Sequence, residues 1–508
     1  MSKLGSMQGS TGVAFIVLIA CVYVSFPAVS SAQEGGSTKT LTEKETFLSS
    51  PPAGFHVLAE STLLHPDTLR IAYVAKRDKK YVCVVDGQTT PHYEGIQKGS
   101  LIFSPDGSRF AYVAYKKGLS HLVLDGREKK GYDGITNLCF SPDSARTAFL
   151  AEQGDKQFVV VDDAEGPPYK RISRLGCPRF SPDSKHIAYA ALKDKKSVFV
   201  LDGSEGKEYD MFLAPMFSPD SLHLAYAAKS NGTWKVVLDG KEKASYQKIT
   251  QILYSPDSKR LVYAAQKKGA WVANLDDKEV FEGKNLGPAM FSPDSSRLAY
   301  GVEQDGLWHV VIDGKKEPGY PQLGIFLFSP DSKRYAYMAV EKNSKARMVI
   351  DGNRGNTYDS IGNPEFSPDS RHVAFRARRG DAWHIVLDGT EGKGYDFVQH
   401  PYFSPDSKHM AYTAVRKDKM LIVSDTHESK AYAGVSSPYF SKKDGHLAYA
   451  ASSDGEAWFI VVDGIEGKTR VNGFVKGAPL VFLEEHKVRA LTMRIPGPYF
   501  FHLDAEIR

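Results

Sequence analysis

Short apolar segments alternate with turn residues along almost the whole chain. In residues 291–320, Phe291-Ser292-Pro293-Asp294 is followed by an apolar run over 297–302, then by Asp305-Gly306, a second run over 308–312, and a second Asp-Gly pair. Runs of this length that alternate or are rich in β-branched residues are too short for helices and are typical of strands. The pattern predicts about four short antiparallel strands in this stretch.

The same stretch recurs along the chain. Four consecutive intervals between its aromatic residues are 37, 37, 37 and 38 residues long, which is typical of a stack of identical units. Three degenerate copies, at 64–67, 440–444 and 481–483, bring the predicted number of units to twelve. The aromatic residue of the Ser-Pro-Asp motif stands at Phe103, Phe140, Phe180, Phe217, Tyr254, Phe291, Phe328, Phe366 and Phe403.

The turn residues explain where each strand ends. Proline cannot donate a hydrogen bond to a neighbouring strand, and aspartate accepts one from the backbone of its own turn. Asp-Gly and Asn-Gly pairs supply the positive φ angles of two-residue hairpins. A four-stranded unit that is apolar on both faces must lie between two others, so the predicted fold is an all-β propeller of about twelve four-stranded blades.

Twelve blades exceed the usual four to eight of one ring, so two rings of about six are predicted. A division near 275–290 is suggested by Leu275-Asp276-Asp277-Lys278, which replaces the usual Asp-Gly ending. One large ring is the alternative, because no linker interrupts the spacing. The last copy lacks a fourth strand and residues 55–58 stand where one belongs, so pairing of the N- and C-terminal strands is predicted to close the ring.

The order aromatic-Ser-Pro-Asp-Ser or Gly, then Leu-Ala-Tyr, then Val-Val-Asp-Gly resembles the repeat of TolB-type, WD-like propellers of exported bacterial proteins. The resemblance covers about residues 54–508 and implies the fold. It is less specific for function, because such propellers serve as binding platforms or as non-catalytic halves of prolyl oligopeptidase-type peptidases. TolB itself carries an additional α/β domain before its propeller, for which this chain has no room.

Composition is ordinary for a globular protein, with 508 residues, 42% hydrophobic positions and a net charge of +5. Residues 1–32 are predicted to be an export signal, with Lys3 before an apolar stretch over 13–24 and small residues before Gln33. A lipoprotein signal ending at Cys21 and an uncleaved anchor over 13–29 are the alternatives. All three place the body in the periplasm or outside the cell, with a polar linker over 33–50 and repeats over 51–508.

Three cysteines lie in the body, namely Cys83, Cys139 and Cys177, which excludes a framework of several disulfides. Their spacing matches no zinc pattern. Buried free thiols are predicted, with a bridge between Cys139 and Cys177 as the alternative.

A cation follows each motif aromatic by six residues in every blade, and five of these cations are histidines. A position that is filled in every blade indicates a structural role rather than metal or acid–base chemistry. The predicted partner is the motif aspartate three residues earlier, as in Asp183 with His186 or Asp331 with Arg334. Histidine blades would then be mildly pH-sensitive, because imidazole loses its charge near neutral pH.

The chain contains no Gly-x-Ser-x-Gly elbow, no phosphate-binding glycine loop and no His-Glu-x-x-His motif. We therefore predict a protein that is not an enzyme and that uses no cofactor and no metal. The alternative is a propeller lyase or hydrolase that acts on carbohydrate through scattered residues. Arg179 and Glu365 replace apolar residues on the first strands and are candidates for a ligand contact in the central channel.

The turns between second and third strands are rich in lysine and arginine. Propeller topology places these turns on one face, where their charges add into a basic field, although solubilising lysines would produce the same pattern. The five tryptophans begin third strands and are not interleaved with the cations, which argues against nucleic acid. The predicted binding residues are Lys79, Lys80, Lys116, Lys117, Lys195, Lys196, Lys267, Lys268, Arg378, Arg379, Lys417 and Lys419.

The predicted function is an exported, non-enzymatic platform that binds or scaffolds a protein or an anionic polymer of the bacterial cell envelope. Contact with a membrane is expected only through an N-terminal anchor or lipid. The sequence leaves the oligomeric state open.

Overall fold

The computed structural model describes residues 40–173, 178–213, 215–475, 480–495 and 498–508. Within these ranges the chain forms twelve antiparallel sheets, which confirms the all-β fold with twelve blades. Helical structure there is limited to the 3-10 turn Ala59–Ser61, and the described residues include no helix long and apolar enough to cross a bilayer. The predicted export signal over 1–32 lies outside the described residues.

Each blade orders its strands as first, second, third and fourth across the sheet. Four first strands are continuous: Gly134–Phe140, Lys248–Tyr254, Asn285–Phe291 and Gln322–Phe328. The other first strands are split into two short pieces: His56–Val57 and Leu63–Leu64, Gly95–Ile96 and Ile102–Phe103, Arg171–Ile172 and Arg179–Phe180, Met211–Phe212 and Met216–Phe217, Ser360–Ile361 and Glu365–Phe366, Phe397–Val398 and Tyr402–Phe403, Gly434–Val435 and Tyr439–Phe440, Gly473–Phe474 and Val481–Glu484.

Second and third strands are the longer and more buried pair. The second strands are Ile71–Arg77, Phe110–Lys116, Thr147–Gln153, Ile187–Lys193, Leu224–Ser230, Leu261–Lys267, Leu298–Gln304, Tyr335–Val340, Val373–Arg379, Met410–Arg416, Leu447–Ser452 and Lys487–Arg494. The third strands are Lys80–Val85, Leu119–Leu124, Lys156–Val161, Lys196–Leu201, Thr233–Leu238, Ala270–Leu275, Leu307–Ile312, Ala346–Ile350, Ala382–Leu387, Lys419–Ser424, Trp458–Val462 and Tyr499–Ile507.

The fourth strands form the outer edge of the ring. They are largely exposed, as in Asn353–Tyr358, where Tyr358 alone is buried, whereas the first strands are mostly half-buried. The fourth strands of blades 1 to 11 are Gln88–Thr89, Arg127–Tyr132, Ala164–Glu165, Ser204–Tyr209, Lys241–Tyr246, Lys278–Gly283, Lys315–Lys316, Asn353–Tyr358, Thr390–Glu391, His427–Glu428 and Ile465–Glu466.

The blades form a single ring. Twelve apolar clusters each join two consecutive blades, and one of them joins blade 12 to blade 1, where the rings of Phe500 and Tyr73 lie 5.3 Å apart. The predicted division near 275–290 is wrong, because Leu275 and Phe281 of blade 6 pack against Tyr300 of blade 7 as their counterparts do elsewhere. Phe281 fills the place of the usual tyrosine, so the interface stays apolar and two rings of six do not form.

The fourth strand of blade 12 comes from the N-terminal region. Leu41–Ser49 pairs antiparallel with Tyr499–Ile507, from Leu41 opposite Ile507 to Ser49 opposite Phe500. The polar linker predicted over 33–50 is therefore wrong for residues 41–49. Most of the exposed positions of this strand are polar because it lies at the outer edge, although Phe47 is also exposed. Leu41 and Leu48 pack inward. Residues 55–58 do not supply this strand, because Val57 pairs with Ala75 inside blade 1.

The repeated Ser-Pro-Asp turn links neighbouring blades. In blade 7 the Ser292 hydroxyl donates to the Asp294 carboxylate at 2.7 Å, and the Asp294 backbone N–H donates to Ser332 Oγ of blade 8 at 3.0 Å. Ser332 has a φ of 65°, which aims its buried hydroxyl back at the preceding blade. The same link joins Asp106 to Ser144, Asp143 to Ser184, Asp183 to Ser221, Asp220 to Ser258, Asp257 to Ser295, Asp331 to Ser370 and Asp369 to Ser407.

The motif cation pairs with a different aspartate from the one predicted. Arg334 Nε donates to Asp351 Oδ2 at 2.9 Å, and His186 Nδ1 lies 2.6 Å from Asp202 Oδ2. This aspartate belongs to the Asp-Gly turn after the third strand, which the hairpin pairing brings beside the start of the second strand. The other pairs are Arg70 with Asp86, Arg109 with Asp125, Arg146 with Asp162, His223 with Asp239, Arg260 with Asp276, Arg297 with Asp313, His372 with Asp388, His409 with Asp425 and His446 with Asp463.

Acid is expected to destabilise the fold through the motif aspartates. The hydroxyl of Ser181 and the backbone N–H of Lys185 lower the pKa of Asp183 to about 2, and Ser292 does the same for Asp294. The pKa of an aspartate in an unfolded chain is about 3.9, so the ionised motif aspartates stabilise the folded state. Their contribution to stability is complete above about pH 5 and is lost as the pH falls through about 2. Thermal unfolding midpoints should therefore fall steeply between pH 5 and pH 2, and Asp183→Asn should reduce that decline. An equal decline in the variant contradicts this cause.

Candidate docking face

The hairpin turns between the second and third strands all lie on one face of the ring, which we term the basic face. The Ser-Pro-Asp turns at the other end of the second strands are hydrogen-bonded from blade to blade, so they share the opposite face. All second strands that are linked in this way therefore run in the same direction, from the face of the Ser-Pro-Asp turns to the basic face. The turns that carry the predicted binding residues are thus brought to a common surface, as propeller topology requires.

Four of the twelve predicted binding residues are neutralised by carboxylates. Lys116 Nζ lies 2.8 Å from Glu128, and Arg379 Nη2 lies 2.5 Å from Glu391, each on the fourth strand of the same blade. Lys196 pairs with Asp210, and Lys267 pairs with Glu279. The other eight make no ion pair with any described residue and are exposed: Lys79, Lys80, Lys117, Lys195, Lys268, Arg378, Lys417 and Lys419.

Three of the unpaired lysines occupy backbone positions that favour other residues. Lys117, Lys268 and Lys417 have φ angles of 51°, 49° and 48°, in the left-handed region. Other blades place Asn231 or Asp305 at the corresponding position. Asparagine and aspartate adopt this conformation more easily than lysine does, so these turns carry positive charge where a neutral or acidic residue would fit the backbone better.

Carboxylates also lie on this face, where they hold the turns in place. The Lys117 backbone N–H donates to Glu94 at 3.1 Å, and that of Lys417 donates to Asp396 at 2.7 Å. Each acid follows the fourth strand of the preceding blade. These hydrogen bonds use the backbone N–H of each lysine and fix the conformation of its turn. The lysine side chains take no part in them and project from hairpins whose backbone is held in place.

A second ionic network at the outer edge was not predicted from the sequence. The Tyr209 hydroxyl donates to Glu242 of the next blade at 2.8 Å, and Lys207, Lys235 and Tyr209 together lower the pKa of Glu242 to about 2. The recurring spacing of 33 to 36 residues between tyrosine and glutamate is the signal that could have revealed it. Equivalent bonds join Tyr132 to Glu165, Tyr169 to Glu205, Tyr358 to Glu391, Tyr395 to Glu428 and Tyr432 to Glu466.

The two channel candidates lie on first strands, as expected, but the structure does not bring them together. Arg179 is exposed on blade 4. Glu365 is on blade 9, and its carboxylate lies 3.1 Å from His400 Nε2 of blade 10. This contact gives Glu365 a structural partner across the interface of two blades. Neither residue lines the clefts beside Tyr132 and Tyr254 that are described below.

The described cysteines are free thiols. Burial raises the pKa of Cys83 to about 12 and that of Cys139 to about 11, so both stay protonated at neutral pH. The Cys139 thiol lies 3.6 Å from the carbonyl oxygens of Ala148 and Pro178. Cys177, its proposed partner, lies outside the described residues.

Shallow clefts between neighbouring blades in the described part of the ring include the following two. One, of about 350 Å³, lies between the outer edges of blades 2 and 3 beside Tyr132 and Phe149. The other, of about 220 Å³, lies between blades 5 and 6 beside Tyr254 and Arg260. No cluster of three or more metal-ligating side chains occurs among the described residues. The second cleft lies beside the Ser-Pro-Asp turn of blade 6, on the face opposite the basic face.

No protein-family description matches the chain, and no curated protein matches it. Many solved structures do match. A eukaryotic initiation factor is 13% identical over 64% of this chain and 96% of its own, with a TM-score of 0.35. The β-propeller domain of the Trilobed protease from Pyrococcus furiosus is 15% identical over 51% and 94%, with a TM-score of 0.26. The propeller domain of Cps50 (Swd1) from Myceliophteria thermophila is 12% identical over 51% and 98%, with a TM-score of 0.25. The assignment as a β-propeller rests on this chain's own sheet order and inter-blade clusters.

Proposed function

We propose that this protein is an exported, non-enzymatic propeller of the TolB-type, WD-like kind, and that its basic face docks onto an anionic component of the bacterial cell envelope. The observation that carries the proposal is the set of eight exposed cations that the described carboxylates leave unpaired. A propeller is suited to this task because its rigid ring holds many turns in one surface. The motif pattern and the predicted export signal support the envelope as the location.

Spacing along the basic face supports docking over an extended surface rather than in a pocket. Unpaired cations occur in blades 1, 2, 4, 6, 9 and 10. Exposed acids also lie in these hairpin turns, beside the cations in blades 1, 4 and 10 and in place of them in blades 7 and 11: Asp78, Asp194, Asp418, Asp305 and Asp454. Charges that act together over such a distance attract a polyanion more strongly than isolated pairs do, and salt screens the attraction. A protein with an acidic surface and an anionic polymer both fit this arrangement.

Reversing charge on the basic face should weaken docking. The triple variant Lys79→Glu, Lys80→Glu and Lys117→Glu removes three exposed cations without touching an ion pair. We expect its affinity for immobilised polyglutamate at low salt to fall roughly ten-fold, and partners cross-linked to the wild type in intact envelopes to be lost. Unchanged affinity and an unchanged set of partners would refute the proposal.

The matched control changes the net charge equally on the opposite face. Lys185→Glu, Lys259→Glu and Lys333→Glu alter three exposed lysines that follow the Ser-Pro-Asp motif, each 3.5 to 3.8 Å from its motif aspartate. We expect both measurements to stay within two-fold of the wild type. Release of new reducing ends or unsaturated sugars from envelope polysaccharide by the wild type would instead favour the carbohydrate enzyme.

A further inference from the structure

About half of the exposed large apolar side chains of the described residues lie on the same face as the unpaired cations. Thirteen large apolar side chains are exposed among the described residues, and seven of them lie beside hairpin turns of the basic face. Five of the seven belong to blades 12 and 2, which flank blade 1 in the ring. We term these five the apolar tips: Phe47, Ile495, Tyr499, Tyr115 and Leu119.

The tips of blade 12 lie at the ends of three adjacent strands. Ile495 follows the second strand, Tyr499 begins the third strand opposite Arg494, and Phe47 is near the end of the N-terminal strand. Their exposed fractions are 63%, 45% and 56%. Phe47 packs edge-on against Phe501 at 5.5 Å, which holds its ring in place while leaving more than half of it in water.

Blade 1 places cations between the two groups of tips. Its hairpin turn carries three exposed cations, Arg77, Lys79 and Lys80, and one exposed acid, Asp78. Lys79 and Lys80 make no ion pair with described residues, and Arg77 lies over the ring of Phe55 at 5.2 Å. On blade 2, the unpaired Lys117 stands between the tips Tyr115 and Leu119. Basic and apolar groups therefore alternate across three consecutive blades.

We propose that this arc of blades 12, 1 and 2 docks onto a bilayer that contains anionic lipid. The inference rests on the proposed function, since it names a partner for the same face. Apolar groups that project from basic turns fit a bilayer, because the apolar groups enter the boundary of the acyl chains while the cations meet anionic headgroups. Tips spread over neighbouring blades fit a deformable plane better than they fit one protein pocket.

Vesicle binding tests the inference. We expect the full chain, and a chain that begins at Gln33, to co-sediment with vesicles of phosphatidylcholine and phosphatidylglycerol in a 7:3 ratio, and not with pure phosphatidylcholine vesicles. Every contact described above lies within residues 40–508, so the shorter chain retains them. Binding by the full chain alone would assign the membrane contact to residues 1–32 and overturn the inference.

Two variants separate the tips from general electrostatic attraction. Ile495→Ser with Tyr499→Ser should lower the affinity for the anionic vesicles at least ten-fold and leave polyglutamate affinity unchanged. Leu222→Ser with Leu483→Ser alters exposed apolar residues of the opposite face and should change neither. If the variant with Ile495→Ser and Tyr499→Ser binds the anionic vesicles as tightly as the wild type does, the inference is overturned.

Failure of this inference is distinguishable from failure of the proposed function. A wild type that binds polyglutamate and envelope partners but no vesicles leaves the proposed function standing and makes the bilayer the wrong partner. A wild type that binds none of these probes refutes both. Thermal unfolding of every variant at pH 7 should match the wild type, because all substituted side chains are exposed.

Discussion

A chain that lacks residues 40–49 is expected to aggregate, with a thermal unfolding midpoint at least about 10 °C below that of the intact protein. The deletion removes the fourth strand of blade 12 and leaves the outer edge of Tyr499–Ile507 unpaired, while its inner edge stays paired with Lys487–Arg494. It also removes Leu48 from the apolar interface of blades 12 and 1, and the bond of 2.8 Å between the hydroxyls of Ser49 and Tyr73. An unpaired edge of this length invites pairing with other chains.

Two neighbouring residues of that strand provide the matched control. Leu48→Ser acts on the side chain that packs between blades, whereas Phe47→Ser acts on one that is largely exposed. We expect the first to lower the unfolding midpoint clearly and the second to change it little. Size-exclusion chromatography and thermal unfolding measure both effects. A monomeric deletion variant with an unchanged midpoint would show that the N-terminal strand is dispensable.

Arg334→Ala should destabilise the protein by about 2 kcal/mol, several times more than His372→Ala does at pH 8. Arg334 donates to Asp351, reaches the backbone carbonyls of Ser370 and Arg371 in the next blade, and lies over the ring of Phe366 at 5.4 Å. The guanidinium therefore connects two blades through several donors. An imidazole at the same place lacks the donors for those carbonyl contacts.

His372 contacts Asp388 through Nδ1 at 2.6 Å, a bond that stays inside its own blade. Its loss should cost less than about 1 kcal/mol, since an exposed pair contributes little. Urea unfolding measures the global change, and hydrogen exchange at the interface of blades 8 and 9 measures the local one. Equal effects of the two substitutions would show that the contacts between blades add nothing to the pair within each blade.

Much of the architecture could be predicted because each blade repeats the same local chemistry. Pro293 and Asp294 end a strand, Asp305-Gly306 forms a tight hairpin, and the aromatic spacing counts the blades. These are interactions between residues close in sequence, so a single copy suffices to recognise them. The copies at 64–67 and 481–483 were correctly placed for the same reason.

The partner of the motif cation could not be predicted in this way. Asp183 stands only three residues before His186, but its carboxylate accepts hydrogen bonds from Ser181 and from the backbone of its own turn. Asp202 stands sixteen residues away, and hairpin pairing brings it next to the imidazole. The same limitation applied to Lys116 and Lys267, whose neutralising glutamates lie on the fourth strand.

The amino-acid sequence by itself determined the blade, the number of blades and the face on which the lysine-rich turns lie, because these follow from local turn geometry and a fixed repeat. The tertiary structure alone decided that the blades form one ring, that Leu41–Ser49 completes the last blade, and which cations remain unpaired beside the apolar tips. Those features depend on contacts between residues that are distant in sequence, and the energy of such contacts depends on which surfaces meet after folding.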